Sequence, residues 1–390
     1  MSTTMSSRPA GPALDELLGE LRAYLSCNPP MLSLPPRAFT DPHLYELERE
    51  KVFERCWWLV AHADELAEPG DYVALSIAGE PVVITRDADR NLHALSSVCR
   101  HKQMPVVEPG AGNTDAFTCP YHLWRYRLDG QLTGAPLMKG NPDFDPKSCR
   151  LPEFAVEDYG GLIYVNLDKD ASPISAHMDL AAGELANYRL DEMVQVASWV
   201  EQWQANWKLA VENGSENYHV IGLHRSTLDP IMPGRNDVYI RPYSPWVTFG
   251  RFPFAQPIDA EVLPLTEEQQ ANATVVLNFP SGGLITFGDQ LAWLSFIPQS
   301  IDRTEVRGGV LLPRALAEQS DPEQLRKDQI EGAASINEED RIGLEAVQRG
   351  VGSRFAERGH LSPKEQPGVL TFYRNLARAL VSGDDYPGEL

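Results

Sequence analysis

Long apolar runs are missing from this chain. Although 43% of its 390 residues are hydrophobic, no stretch approaches the ~18–20 residues that a membrane helix needs, so no membrane partner is expected. The N-terminal segment MSTTMSSRPAGPALDELLGELRAYL has no basic start followed by an apolar block. No signal peptide is expected from it, and a cytoplasmic location is the default. Basic residues are outnumbered, with 34 Lys and Arg against 55 Asp and Glu, for a net charge of −21. Without a basic stripe to neutralise phosphates, nucleic-acid binding is excluded as a function class. The acidity suits solubility and can steer a basic redox partner or cationic substrate. Cysteines number five, an odd count for a disulfide framework. No Gly-rich dinucleotide fingerprint follows a strand, so any NAD(P)H chemistry must reach this chain through a separate protein. Internal repeats and low-complexity blocks are also lacking.

What is present is enough chain for two domains with substantial cores. Leu14, Leu17, Leu18, Leu21 and Leu25 recur at helical spacing and predict an amphipathic helix over 12–26, broken by the proline-rich stretch Pro29 to Pro36. Short β-like runs follow at 72–77, 81–85, 92–98, 116–119 and 162–167, separated by turn signals such as Glu68-Pro69-Gly70 and Asp129-Gly130. They read as an antiparallel domain over 45–168, preceded by an extension over 1–44. The remainder, 169–390, opens with a polar helical linker at 174–188. Strands are predicted at 194–203, 246–252, 274–279, 283–287, 291–297 and 304–312, with a helix beginning near Asn206 and a long charged helix over 322–348. An antiparallel sheet with helices packed on one side, α+β, fits this order.

Two motifs carry chemistry. Cys99-Arg100-His101 is followed, after 17 intervening residues, by Cys119-Pro120-Tyr121-His122. Two thiolates and two imidazoles on facing loops are the ligand set of a 2Fe–2S cluster of the Rieske type, with Cys on one iron and His on the other. A structural zinc site also accepts two Cys and two His. Zinc fingers usually pair like with like along the sequence, whereas each loop here carries one of each.

The second motif is His219 with His224, which with one carboxylate can form a facial triad for Fe(II) that leaves positions open for dioxygen and substrate. Five residues at ~100° each put the two imidazoles ~140° apart on a straight helix. Gly222 between them can end or distort it. Glu216 and His219 share a face. Taken alone the His pair is weak evidence, but an electron donor upstream implies an acceptor. For the third ligand, Asp340 falls on a stripe of Ala333, Ile336, Leu344 and Val347, where an unpaired carboxylate would pay heavily in desolvation. Glu339 and Asp289 are the alternatives.

These residues resemble the Rieske non-heme iron oxygenases, specifically their terminal oxygenase (alpha) subunits. The likeness runs through Trp57-Trp58, both Cys-His pairs with Trp124 and Tyr126, Leu128-Asp129-Gly130, Asn206-Trp207-Lys208, Glu212-Asn213, Glu216, Tyr218-His219, His224, Glu339-Asp340 and Val347-Gln348-Arg349-Gly350. It implies an N-terminal Rieske domain and a C-terminal catalytic domain of helix-grip architecture. It further implies Cys99, His101, Cys119 and His122 on the cluster, His219, His224 and Asp340 on mononuclear iron, and Glu216 joining His219 to a neighbouring subunit's cluster ligand equivalent to His122. A homotrimer and a flavin/iron–sulfur reductase supplying electrons from NAD(P)H are implied as partners. Leu123 departs from the Gly often found after the second cluster His. Glu216, where many ring-hydroxylating members have Asp, resembles the subgroup acting on choline, carnitine or betaine compounds.

The resulting expectation is an oxygenase that uses O₂ to hydroxylate or oxidatively demethylate a small substrate, such as a quaternary ammonium compound. The alternatives are an aromatic-acid dioxygenase or O-demethylase and, from another class, a Rieske electron carrier. Tyr218, Trp199, Tyr243, Trp246, Phe249, Phe287 and Trp293 are candidate pocket or cage aromatics, and Arg225 is a candidate partner for a substrate carboxylate.

Overall fold

The computed structural model describes residues 12–382; the first eleven residues of the expected N-terminal extension lie outside that range. Strands β1 (Trp58–His62), β2 (Asp71–Ile77), β3 (Glu80–Arg86), β4 (Leu92–Ser96) and β5 (Gly110–Asn113) come first. A small group follows, β6 (Phe117–Thr118), β7 (Arg125–Tyr126) and β8 (Leu132–Gly134), and then β9 (Glu153–Tyr159) and β10 (Leu162–Asn166). Seven of them form an antiparallel sheet in the order β1-β10-β9-β4-β3-β2-β5, and β6-β7-β8 form a separate three-stranded sheet. The β2–β3 hairpin turns on Ala78-Gly79, with φ of 51° and 88°, the doubly left-handed turn whose twist matches the strands it joins.

The second half holds β11 (Met193–Trp203), β12 (Tyr239–Pro242), β13 (Val247–Pro253), β14 (Asn272–Asn278), β15 (Gly282–Phe287), β16 (Gln290–Ser300) and β17 (Arg303–Pro313). They make one antiparallel sheet in the order β11-β17-β16-β15-β14-β13-β12. Residues on β15 alternate buried and half-buried, as in a strand with two different faces. One face, with Leu284, Leu291, Trp293 and Leu311, joins a core shared with β1 and β10 of the first sheet. Arg307 Nε donates to the Val60 carbonyl at 2.8 Å and Gln299 to the Ser76 carbonyl at 2.9 Å, fastening the two halves.

The other face is gripped by helices. Among the helices are α1 (Pro12–Arg22), α2 (Pro42–Glu48), α3 (Trp207–Gly214), α4 (Pro322–Val351) and α5 (Gln366–Val381). The predicted stripe of α1 buries Leu14, Leu17 and Leu21, and Tyr24 just beyond meets Tyr373 of α5 edge-on at 5.0 Å. Asp321 caps α4 by accepting from Gln324 N, with Pro322 in the first turn. Along α4 the stripe holds at Leu344, but Val347 is 45% exposed: its wheel position has drifted off the core face. Helices α2 and α5 and strands β1, β5, β7, β8, β9 and β12 had no expectation from sequence. No helix among the described residues is long and apolar enough to cross a membrane.

Candidate metal centres and active site

Each Cys-His pair sits on a loop closed by its own backbone. In the first, between β4 and β5, Cys99 N donates to Met104 O (3.0 Å) and Gln103 N to Cys99 O (3.1 Å). In the second, between β6 and β7, Cys119 N donates to Trp124 O (2.8 Å) and Leu123 N to Cys119 O (2.9 Å). Both thiols are buried. The imidazoles of His101 and His122 meet at 4.4 Å between centroids, and His101 stacks on Trp124 at 4.9 Å. Tyr126 OH lies 3.3 Å from Cys99 Sγ and accepts from Arg100 N at 3.0 Å. His101 Nδ1 is buried without a partner, which a nitrogen reserved for a metal explains. Two buried sulfurs and an orphaned imidazole nitrogen fit a Rieske cluster. Leu123, where Gly was expected, is held at φ 61°, in the left-handed region that glycine adopts without a Cβ penalty.

The second site grows out of α3. Asn206 caps this helix through Oδ1, accepting from Lys208 N at 3.0 Å, while Trp207 and Lys208 are buried beneath it. After Gly214 the chain leaves the helix, makes one tight turn at Tyr218–Ile221, and passes Gly222. That break removes the angular conflict between the two histidines, whose rings meet at 5.2 Å. His219 Nδ1 pairs with Glu216 Oε1 at 2.7 Å and His224 Nδ1 with Glu339 Oε2 at 2.7 Å. Both Nε2 atoms are thereby left for a shared point, and Asp340 Oδ1 lies 2.9 Å from one and 3.8 Å from the other. One donor atom from each of His219, His224 and Asp340 falls within 4.8 Å of the others. Two imidazoles oriented by carboxylates, with one further carboxylate, fit a ferrous ion.

Around the trio, Asn213 Nδ2 donates to Asp340 Oδ1 at 2.9 Å and Thr227 to Glu339 at 2.6 Å. Burial pulls the pKa of His224 down, but Asp340 and Glu339 outweigh it and hold it above its ordinary value. Near by, burial pushes the Glu212 carboxyl up to about 8.

A cavity of about 410 Å³ opens on His219, His224 and Asp340 between the sheet and α3, α4 and α5. Of the aromatic candidates, Trp199 and Phe287 line it. Phe249 and Trp293 instead pack in the shared core on the opposite sheet face, because alternation along a strand turns neighbouring side chains apart, and Trp246, just before β13, packs edge-on against Phe279. Tyr243 bonds Glu184 at 2.7 Å, and Tyr218 is exposed. Arg225 is exposed and does not reach the cavity, so the expected carboxylate partner is not there. Asp289 accepts backbone N–H groups of Val262 and Leu263 and pins a loop; it is not at the metal site. The residue that sequence reasoning undervalued is Glu339, weighed as a ligand but found on the far nitrogen of His224.

Residues 56–154 match the Rieske [2Fe-2S] domain family, and residues 190–382 the catalytic domain of the ring hydroxylating alpha subunit. The chain belongs to the Rieske non-heme iron oxygenases. This family member is 33% identical over 205 residues to the carnitine monooxygenase oxygenase subunit of Escherichia coli, a match covering 52% of this chain and 55% of that protein. It therefore spans about half the length of that curated relative. The glycine betaine monooxygenase oxygenase subunit of Chromohalobacter salexigens is 28% identical over 378 residues, covering 87% of this chain and 84% of that one. The apo crystal structure of a quaternary ammonium Rieske monooxygenase superposes with a TM-score of 0.74 at 25% identity, covering 89% of this chain and 95% of that one.

Proposed function

We propose that this chain is the terminal oxygenase of a multicomponent Rieske system, hydroxylating a small organic substrate with O₂ and electrons delivered from NAD(P)H by a flavin/iron–sulfur reductase. One observation carries the reading: His219, His224 and Asp340 converge beside a 410 Å³ cavity in a chain that also brings together His101 and His122 with the buried thiols of Cys99 and Cys119. A Rieske electron carrier has no use for that cavity. When bound, the cluster supplies single electrons and the mononuclear iron supplies oxygen activation. The protein does the rest. Glu216 and Glu339 fix the tautomer and tilt of the two imidazoles, Asn213 holds Asp340, and the apolar walls orient substrate and exclude water.

Among the described residues no hydrogen bond or ring contact joins the quartet to the trio. Exposed apolar side chains stand beside each: Tyr121 and Leu123 at the cluster tip, and Tyr218, Ile221 and Leu223 at the iron site. This supports a homotrimer in which one subunit's cluster faces its neighbour's iron, with Glu216 the relay between His219 and the neighbour's counterpart of His122. A cytoplasmic enzyme fits this reading.

Iron analysis and oxygen uptake test it. Three irons per chain, two in the cluster and one at the trio, and substrate-dependent uptake with a surrogate reductase are expected. His219→Ala should abolish uptake and leave the cluster's spectrum intact. Two irons and no uptake with any substrate would leave an electron carrier.

A further inference from the structure

Two glycines stand where nothing but close approach of the backbone requires them. Gly368 lies in the first turn of α5, and Gly234 in the loop that follows His224. Neither has a left-handed φ, so any residue can adopt either backbone, and alanine would suit the helix better. A Cβ on Gly368, however, would stand 1.7 Å from the Ser215 carbonyl oxygen. One on Gly234 would stand 2.4 Å from the Asn217 carbonyl oxygen and 2.9 Å from the Ile221 nitrogen. At no other glycine among the described residues would a Cβ come within 2.5 Å of another segment's backbone.

Both glycines press on one short turn, from two sides. Ser215 and Asn217 flank Glu216, and both are almost fully buried, so the turn has no solvent to yield into. Within it Glu216 Oε2 accepts from the backbone N–H of Tyr218 and, at 3.1 Å, from that of His219, while Oε1 pairs with His219 Nδ1 at 2.7 Å. The two sides are also tied to each other and to the turn. Asn217 Nδ2 donates to the Pro233 carbonyl at 3.4 Å, and Lys364, just before α5, pairs with Asp237 of the Gly234 loop. An exposed pair of that kind adds little by itself. The glycines set the geometry.

A glutamate side chain has many rotamers to lose, and a relay needs one of them. A turn that cannot shift gives the carboxylate a fixed base. We propose that Gly234 and Gly368 clamp the 215–219 turn and are positioning residues for Glu216, holding it on His219 in the aim that electron passage between subunits requires. The proposal rests on the relay reading of Glu216 given above.

Gly368→Ala and Gly234→Ala test it. Each forces the facing carbonyl back by roughly 1–2 Å to restore ordinary contact, a misplacement that can cost up to about 100-fold in rate. With the mononuclear iron oxidised to Fe(III), the anaerobic holoprotein is reduced by NAD(P)H and the surrogate reductase, and rapid-freeze paramagnetic resonance follows the ferric signal. One electron leaves a reduced cluster for each Fe(III) that becomes Fe(II), and the reductase replaces it. Both variants should keep wild-type cluster absorption and mononuclear iron, yet lose the ferric signal at least about tenfold more slowly. In protein stripped of mononuclear iron, their Tyr218 and His219 amides should exchange with deuterium about fivefold faster or more. Wild-type reduction rates, unchanged amide exchange, or loss of the mononuclear iron from both variants overturns the clamp. If Gly368→Ala leaves no cluster absorption, Gly234→Ala, a loop substitution, decides the matter by the same criteria. Glu216→Ala is measured beside them: a wild-type rate there refutes the relay reading, and amide exchange alone then decides whether the glycines hold the turn.

Discussion

His224 is held at both ends of its ring by adjacent residues of one helix, Glu339 on Nδ1 at 2.7 Å and Asp340 near Nε2 at 2.9 Å. The two carboxylates divide the work. On the proposed function Asp340 is the ligand offered to the metal, and Glu339, anchored by Thr227, sets which nitrogen would face it. Replacing Glu339 with Gln keeps the shape and removes the charge that makes His224 a better donor. We expect Glu339→Gln to lower iron affinity or activity at the mononuclear site by about 10- to 100-fold without altering the cluster's absorption. Iron titration of the apoprotein, followed by oxygen uptake, checks this. Metal affinity and turnover equal to wild type would make Glu339 a mere surface acid.

Helix α3 is positioned by a buried ion pair. Lys208 Nζ meets Glu48 Oε1 of α2 at 2.6 Å with both side chains almost fully buried, and Trp207 Nε1 donates to Glu48 Oε2 at 3.0 Å. Burial raises the pKa of Glu48 and lowers that of Lys208, and their mutual attraction opposes both shifts. Removing one partner leaves the other uncompensated. Lys208→Ala should cost about 3–5 kcal/mol of stability, read by urea denaturation, whereas a loss below about 1 kcal/mol would mean that Glu48 has become neutral. At this scale the limits of sequence reading are also plain. The Cys-His loops were legible because their ligands lie close in sequence and their chemistry is peculiar to metals. Strand β1 was not, since all five of its residues are buried and a strand covered on both sides has no alternation to read. Helix α5 hides behind Pro367 and Gly368, which resemble a turn when the proline in fact occupies the first turn of the helix. Glu339 shares a helix face with Ser335, Gly343 and Ala346, none of which marks a core position, and its partner His224 arrives from 115 residues away, so its role was not legible. Phe249 and Trp293 missed the cavity for a related reason: which face of a strand a residue takes depends on a register that composition does not reveal.

For the whole molecule, the proposed passage of electrons between subunits makes a sharp demand. A chain without its cluster, Cys119→Ala, and a chain without its mononuclear iron, Asp340→Ala, should each be inactive alone. Co-expressed and purified as mixed assemblies, they should regain part of the wild-type oxygen uptake, because an intact cluster then faces an intact iron site across an interface. Mixed assemblies as dead as their parents would place the transfer within one chain. Assembly, in turn, requires each subunit to keep its own alignment, and α4 supplies it. From Asn337 to Gln348 its side chains engage, in order, Glu201, His224, the Asn213 amide, the Gln204 backbone and the Asn206 backbone. The stretch acts as a ruler laid along the start of the catalytic segment. A single inserted residue inside it would rotate everything beyond by ~100° and unhook the marks past the insertion, while the largely exposed first turns after Pro322 carry no graduations and are free to change length.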